Sequence, residues 1–404
     1  MDSFPPLSSF LIVSSVSAAL TALVVPVMIW IAKRSGMVVP PDERRIHTTP
    51  TPNLGGFGLL VGVIGGLAVA SRLGGFEPVF DSSTEVLGIV IGALIIYIVG
   101  LVDDVRDVSA PAKTAGIVLA AAALTFAGVA ILVFRIPFLD FVVLSPDLSA
   151  LVTVLWVIGM ANAVNIIDGL DGLAAGIVGI AAAAFFLYDR QLASAGLLDA
   201  DNPSPLIATV VVGVCLGFLP YNFHPARTFM GDGGALLLGL LMAAATIAVG
   251  GRTADQFSGQ TYFFFAPLFI PLFILGVPIV DTVFAIVRRA VGRKGVATAD
   301  KGHLHHRLMD LGHGQRRSVL ILWAWTALLS ALVLYPTFTG KGDALVPLAL
   351  LAAGLVLYTL FSPGRRRRTA TGRSATPEAA DTDAADAESP PSPPSPEAAP
   401  LNSP

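Results

Sequence analysis

The sequence predicts an all-α polytopic membrane protein with about eleven transmembrane helices. The chain is 54% hydrophobic and only 13% charged, with a mean hydropathy of +0.76, values foreign to a soluble globular protein of 404 residues. Apolar runs recur along it at lengths of about 17 to 25 residues, enough to cross a bilayer as helices. The two-residue alternation of a membrane β-barrel is absent, and a helix satisfies its own backbone groups in lipid.

Taken in order, the spans are expected at roughly 7–32, 54–71, 86–102, 114–134, 147–164, 172–188, 205–221, 233–250, 263–287, 318–336 and 344–361, by the apolar length a crossing helix needs. The first should stay as an anchor. No Lys or Arg stands before Lys33, so the basic head of a cleaved signal is missing. Cys215 is the single cysteine, which leaves no intrachain disulfide and no cysteine metal site; inside a span it reads as a small hydrophobe. The composition divides the chain into a membrane domain over 1–362 and a tail over 363–404. The tail opens with Arg365 to Arg368 and continues in Thr, Ala, Glu, Asp, Ser and Pro, which cannot build a core. It is expected to be disordered, with its arginines holding the last span against anionic lipid.

With these spans, 20 of the 25 Lys and Arg residues fall in one set of loops. Cytoplasmic loops are enriched in such residues, so the N-terminus is expected outside and the C-terminus in the cytoplasm. The same topology puts all six histidines (His47, His224, His303, His305, His306 and His313) on the cytoplasmic side, with the carboxylate clusters around Asp103, Asp168 and Asp232. Outer loops hold scattered charges such as Glu77, Asp81 and Asp201. Chemistry is therefore expected at one face.

Five polar stretches carry that expectation. Between the first two spans, Arg44, Arg45 and His47 precede Pro50, Pro52, Gly55 and Gly56. The cations could hold an anionic substrate or meet anionic lipid. The third span closes on Asp103, Asp104, Arg106 and Asp107, carboxylates that repel one another unless a cation or Arg106 intervenes. Clustered carboxylate oxygens suit Mg²⁺, which takes one or two carboxylates plus waters and substrate phosphates.

In the third stretch, Asn162, Asn165, Asp168 and Asp171 recur every third position at the end of an apolar run. Neighbours in this series share a helix face, but an ideal helix would put Asn162 and Asp171 nearly opposite, so Gly169 or Gly172 should break or tighten the backbone. In the fourth, Asn222 and Phe229 lead to Asp232, which glycines flank at the start of a helix whose free N–H groups favour phosphate oxygens. Phe229 could stack on a base or simply pack in the core. In the fifth, His303, His305, His306 and Arg307 lie in a strongly basic loop without cysteine, which fits a pyrophosphate better than zinc.

These five motifs, in this order over roughly residues 7 to 361, resemble the polyprenyl-phosphate N-acetylhexosamine-1-phosphate transferases. The resemblance implies transfer of a sugar 1-phosphate from a UDP-N-acetylhexosamine to a membrane polyprenyl phosphate, with release of UMP. It implies Asp232 as a Mg²⁺ ligand, Mn²⁺ being a substitute, with Asp103 and Asp104 beside the metal and the lipid phosphate. Asp103, Asp104 and Asp168 are then the catalytic carboxylates. Asn165, Asp168 and Asp171 line the nucleotide-sugar site, Asn222 and Phe229 contact uridine, and the run from His303 to Arg307 clamps the pyrophosphate, with Arg45, His47 and Asn162 also binding substrate. Arg45 stands where many members have Lys, which keeps the charge and changes the donor geometry. The order His-Leu-His-His is similar to the N-acetylglucosamine branch rather than the muramoyl-pentapeptide branch. The expected setting is a bacterial inner membrane, with the site on the cytoplasmic face, no nucleic acid, and a homodimer as a further partner. The expected reaction is the first membrane step of a cell-envelope polysaccharide.

A secondary transporter is the competing class, but it would hold its carboxylates near the bilayer midplane rather than on one face. The transferase chemistry fits the residues physically. Both reactants are anionic, so cations that neutralise the pyrophosphate and groups that position it supply most of the rate.

Overall fold

The protein is described by a computed structural model over residues 4–40, 50–81, 84–135, 141–250 and 313–339, with 276, 279, 308–309, 347 and 350–356. The helices are α1 (Leu7–Ser35), α2 (Gly55–Ala70), the short α3 (Glu77–Asp81), α4 (Glu85–Arg106), α5 (Ala110–Phe126), α6 (Pro146–Ile167), α7 (Leu173–Ser194), α8 (Ser204–Asn222), α9 (Gly231–Gly250) and α10 (Gln315–Thr339). Among the described residues seven of these are long and apolar enough to cross a membrane, and α2 and α5 are shorter apolar helices. The chain is a mostly helical, polytopic membrane protein. The span expected at 263–287 lies almost wholly outside the described residues, and 350–356 is helical within the span expected at 344–361.

Local sequence explains the ends. Ser145 accepts the N–H of Leu148 at 3.4 Å, with Pro146 in the first turn and Asp147 beside it, a favourable helix start. The span expected over 114–134 stops at Phe126 instead. Gly128 takes φ +99°, its N–H bonds to Thr125 and that of Val129 to Leu124, which closes α5 in a Schellman turn. The apolar residues that follow leave the helix. Ile131 donates its N–H to Thr153 Oγ1 at 2.9 Å, and β3 (Val133–Arg135) pairs antiparallel with β4 (Phe141–Val143). A second pair of short strands, β1 (Val38–Val39) and β2 (Thr51–Pro52), follows α1; neither strand pair was expected in an all-α chain.

Small residues let the helices approach closely. Gly58, Gly62 and Gly66 of α2 face Val25, Thr21 and Ser17 of α1, where a methyl group would collide. The centre of the bundle is α9, which packs against α2, α4, α6 and α8. Ala235 to Leu238 are fully buried, whereas Leu11, Leu23 and Trp30 of α1 are exposed on the rim. Gly56 and Gly100 meet α9 at Gly234 and Gly233. These contacts hold the end of α9 that carries Asp232 against the ends of α2 and α4.

Candidate active site

Asp104, on the last turn of α4, spends its carboxylate on the start of α9. Its Oδ1 accepts the N–H of Asp232 at 2.9 Å and the Asn53 amide at 2.9 Å, while Oδ2 accepts the N–H of Gly233 at 3.2 Å. The first backbone donors of a helix have no partner within it, and here a side chain from another helix supplies one. Gly231 precedes this cap at φ +67°, and a side chain there would strike Asp104.

Asp103 turns the other way. Its Oδ1 accepts the N–H of Val108 at 2.7 Å, and its Oδ2 lies 2.8 Å from the Lys113 ammonium on the first turn of α5. Lys113 also pairs with Asp232 Oδ2 and lies 3.5 Å from Asn165 Oδ1. Asn165 in turn donates its amide to Asp232 Oδ1 at 2.8 Å. Three oxygens from α4, α6 and α9 thus surround one cation. The counter-ion to this carboxylate cluster is Lys113 rather than Arg106, which is exposed. Nothing in the sequence had singled out Lys113 or Asn53 as site residues.

The break expected after Asn165 is present. Helix α6 ends at Ile167, Asp168 leaves helical geometry at ψ 39°, and Gly172 takes φ +79° ahead of α7. Among the described residues no group hydrogen-bonds to the Asp168 carboxylate. Burial, and then the charges of Asp232, Asp104 and Asp171, push its pKa well above the ordinary carboxylate value. Asp171 is buried and holds the loop between α8 and α9: its Oδ2 accepts the Ala226 N–H at 3.1 Å and lies 2.7 Å from His224 Nδ1. Arg316 of α10 donates to the His224 carbonyl at 3.1 Å.

Asn222 is 1% exposed. Its amide oxygen accepts the Gly172 N–H and its amide nitrogen donates to the Thr228 carbonyl, both at 3.0 Å, so it ties two loops together. Phe229 is half-buried, and its main chain bridges Pro52 and Gly55. Thr228 donates its hydroxyl to the Pro52 carbonyl at 3.0 Å. Strand β2 is thereby fastened beside Asn53 and the Asp104 cap. Asn162 is set apart from the cluster, donating its amide to Ile158 of its own helix at 2.8 Å. Arg45, His47, His303, His305, His306 and Arg307 lie outside the described residues.

The stretch that builds this cluster, residues 86–250, matches the family described as glycosyl transferase family 4. The chain is 36% identical over 335 residues to the decaprenyl-phosphate N-acetylglucosaminephosphotransferase of Mycobacterium tuberculosis, covering 80% of this chain and 82% of that protein. The chain belongs to the polyprenyl-phosphate N-acetylhexosamine-1-phosphate transferases.

Other members of these transferases are also similar to it. A probable undecaprenyl-phosphate N-acetylglucosaminyl 1-phosphate transferase of Bacillus subtilis is 34% identical over 314 residues, 78% of this chain and 81% of that protein. A phospho-N-acetylmuramoyl-pentapeptide-transferase of Desulforudis audaxviator is 32% identical over 350 residues, 80% and 96% of the two chains. In this transferase the polar residues of α4, α5, α6 and α9 meet at one end of an apolar bundle, as a reaction between a membrane lipid and a water-soluble donor requires.

The donor set suits a hard divalent cation. Asp103, Asp232 and Asn165 offer oxygens around a point already held by a positive charge. Among the described residues no three carboxylates or histidines form a complete metal cage. Mg²⁺ does not need one, since it keeps waters and takes substrate phosphates.

Proposed function

We propose that the protein transfers N-acetylglucosamine 1-phosphate from UDP-N-acetylglucosamine to a polyprenyl phosphate, yielding polyprenyl-diphospho-N-acetylglucosamine and UMP. The observation that carries this reading is the convergence of Asp103, Asn165 and Asp232 on one cation at one end of the bundle. Relatives whose names give a polyprenyl phosphate and the transfer of N-acetylglucosamine phosphate support the choice of sugar and acceptor. The active end faces the cytoplasm of a bacterial inner membrane, in keeping with the distribution of Lys and Arg. The product opens the assembly of a cell-envelope polysaccharide.

The lipid phosphate oxygen attacks the β-phosphorus of the donor, the bond from the β-phosphorus to the bridging oxygen breaks, and UMP leaves with that oxygen. A phosphate monoester has its second pKa at about 6 and is largely ionised at neutral pH, so the attacking oxygen needs little help from a base. Asp232, with Asp103 and Asn165, would hold Mg²⁺, which when bound neutralises charge on the pyrophosphate. Asn165 fixes the rotamer of Asp232 through its amide. Asp104 positions the Asp232 backbone, because its oxygens are committed to three donors. Asp103 has one oxygen on the Val108 N–H and the other on Lys113, which leaves it suited to hold a cation rather than to form a covalent intermediate. These commitments support direct attack in a ternary complex over a covalent aspartyl-phosphate. Asp168 faces the same cluster and is the carboxyl left for the substrate.

Purified protein in detergent, given polyprenyl phosphate and Mg²⁺, should release UMP from UDP-N-acetylglucosamine and none from UDP-N-acetylmuramoyl-pentapeptide. Release from the second donor alone would move the protein to the peptidoglycan branch.

A further inference from the structure

Lys113 sits where a divalent cation would have to bind. Its ammonium contacts Asp103 Oδ2 at 2.8 Å and also Asp232 Oδ2, with Asn165 Oδ1 at 3.5 Å, and its side chain is only 15% exposed. These are the oxygens assigned above to the metal. An ammonium and a divalent ion cannot both occupy that point, because two cations within van der Waals distance in a half-buried site repel strongly. The lysine stem has the means to leave. It is a flexible four-carbon chain on the first turn of α5, where Pro111, Ala112 and Thr114 are exposed. The carboxylates are far less mobile: Asp103 is bonded to Val108, and Asp232 to Asn165 on a helix capped by Asp104.

We propose that Lys113 is a positioning residue that acts as the resident counter-ion of Asp103 and Asp232, is displaced by the divalent cation, and then meets a substrate phosphate. In the metal-free protein it keeps the two carboxylates together. When the metal takes those oxygens, the released ammonium stands at the rim, where the pyrophosphate of a nucleoside diphosphate sugar or the lipid phosphate arrives. Metal and phosphate binding thereby reinforce each other, since either one disfavours the return of Lys113 to the carboxylates. The inference rests on the assignment of Asp232 and Asp103 to the metal, and it adds what occupies their oxygens beforehand.

The test is Mn²⁺ binding to the full-length protein in detergent without substrate, followed by the electron paramagnetic resonance signal of free Mn²⁺. Lys113→Gln should bind Mn²⁺ about tenfold or more tighter than wild type, because the competitor is gone and both carboxylates remain. Lys113→Arg should stay near wild type. In chelator Lys113→Gln should melt below wild type, and Mn²⁺ should restore it. Should the uncompensated carboxylates prevent folding, Lys113→Gln can be compared with its parent in an Asp103→Asn background, where it should again tighten binding. Equal or weaker Mn²⁺ binding on removing Lys113 overturns the exchange. Wild type that binds no Mn²⁺ at any concentration overturns the metal assignment itself, a separable failure.

Discussion

The carboxylate of Asp104 accepts the main-chain N–H of Asp232 at 2.9 Å, so one acidic residue of α4 sets where another acidic residue of α9 stands. Replacing Asp104 tests whether this is a cap. Asp104→Ala removes the acceptor and should cost about 1 kcal/mol or more of stability, as cap removals do, with loss of turnover. Asp104→Asn keeps an oxygen for the Asp232 N–H and should melt close to wild type while retaining more turnover than Asp104→Ala. Equal melting of the two variants, read by thermal unfolding in detergent, would show that the contact does not hold α9.

Gly231 makes that contact sterically possible. At φ +67° a side chain is strained by about 1 to 2 kcal/mol, and its Cβ would also drive into Asp104. Gly231→Ala should therefore lose both stability and activity, and activity should fall further than stability because Asp232 is displaced. A variant with normal turnover would mean that the start of α9 tolerates movement.

Asp168 carries a pH signature. Its folded-state pKa is raised by burial and by Asp232, Asp104 and Asp171, above the ordinary value of 3.8. Its contribution to stability is then fully present below about pH 4 and is lost as the pH rises through the folded-state value. In chelator, the melting temperature of wild type should fall from acid toward neutral pH, and Asp168→Asn should flatten that fall and melt higher at pH 7. The same variant should be poorly active. A steeper fall in the variant would show that Asp168 is stabilised as a carboxylate.

Much of this arrangement was legible along the chain. Apolar run lengths marked α1, α4, α6, α7, α8, α9 and α10, and the charge bias gathered Asp103, Asp168 and Asp232 at one face. The mismatch between Asn162 and Asp171 required a break, and Gly172 sits in it. Lys113 escaped because its partners lie on other helices, so no local spacing ties it to Asp232. Asn53 escaped for the same reason. Asn222 reads in sequence as a ligand contact, whereas its amide is buried between Gly172 and Thr228, a loop-to-loop pairing visible only in three dimensions. The end of α5 at Phe126 was hidden by the apolar residues beyond Gly128, which continue the hydropathy while leaving the helix.

Chain truncation after Arg368 should leave activity in membranes unchanged, since the residues beyond it are too polar and proline-rich to add to a core. Comparison of turnover per folded protein checks this, and a large loss would assign the tail a part in the reaction.

The most direct measurement follows both products from wild type and Asp232→Asn, using radiolabelled UDP-N-acetylglucosamine, polyprenyl phosphate and Mg²⁺. Wild type should yield UMP and a lipid-linked N-acetylglucosamine diphosphate in equal amounts, and none without lipid or metal. Asp232→Asn, folded by its melting curve, should yield neither product. Near-normal turnover by Asp232→Asn would contradict the account, as would UMP formed without the lipid product.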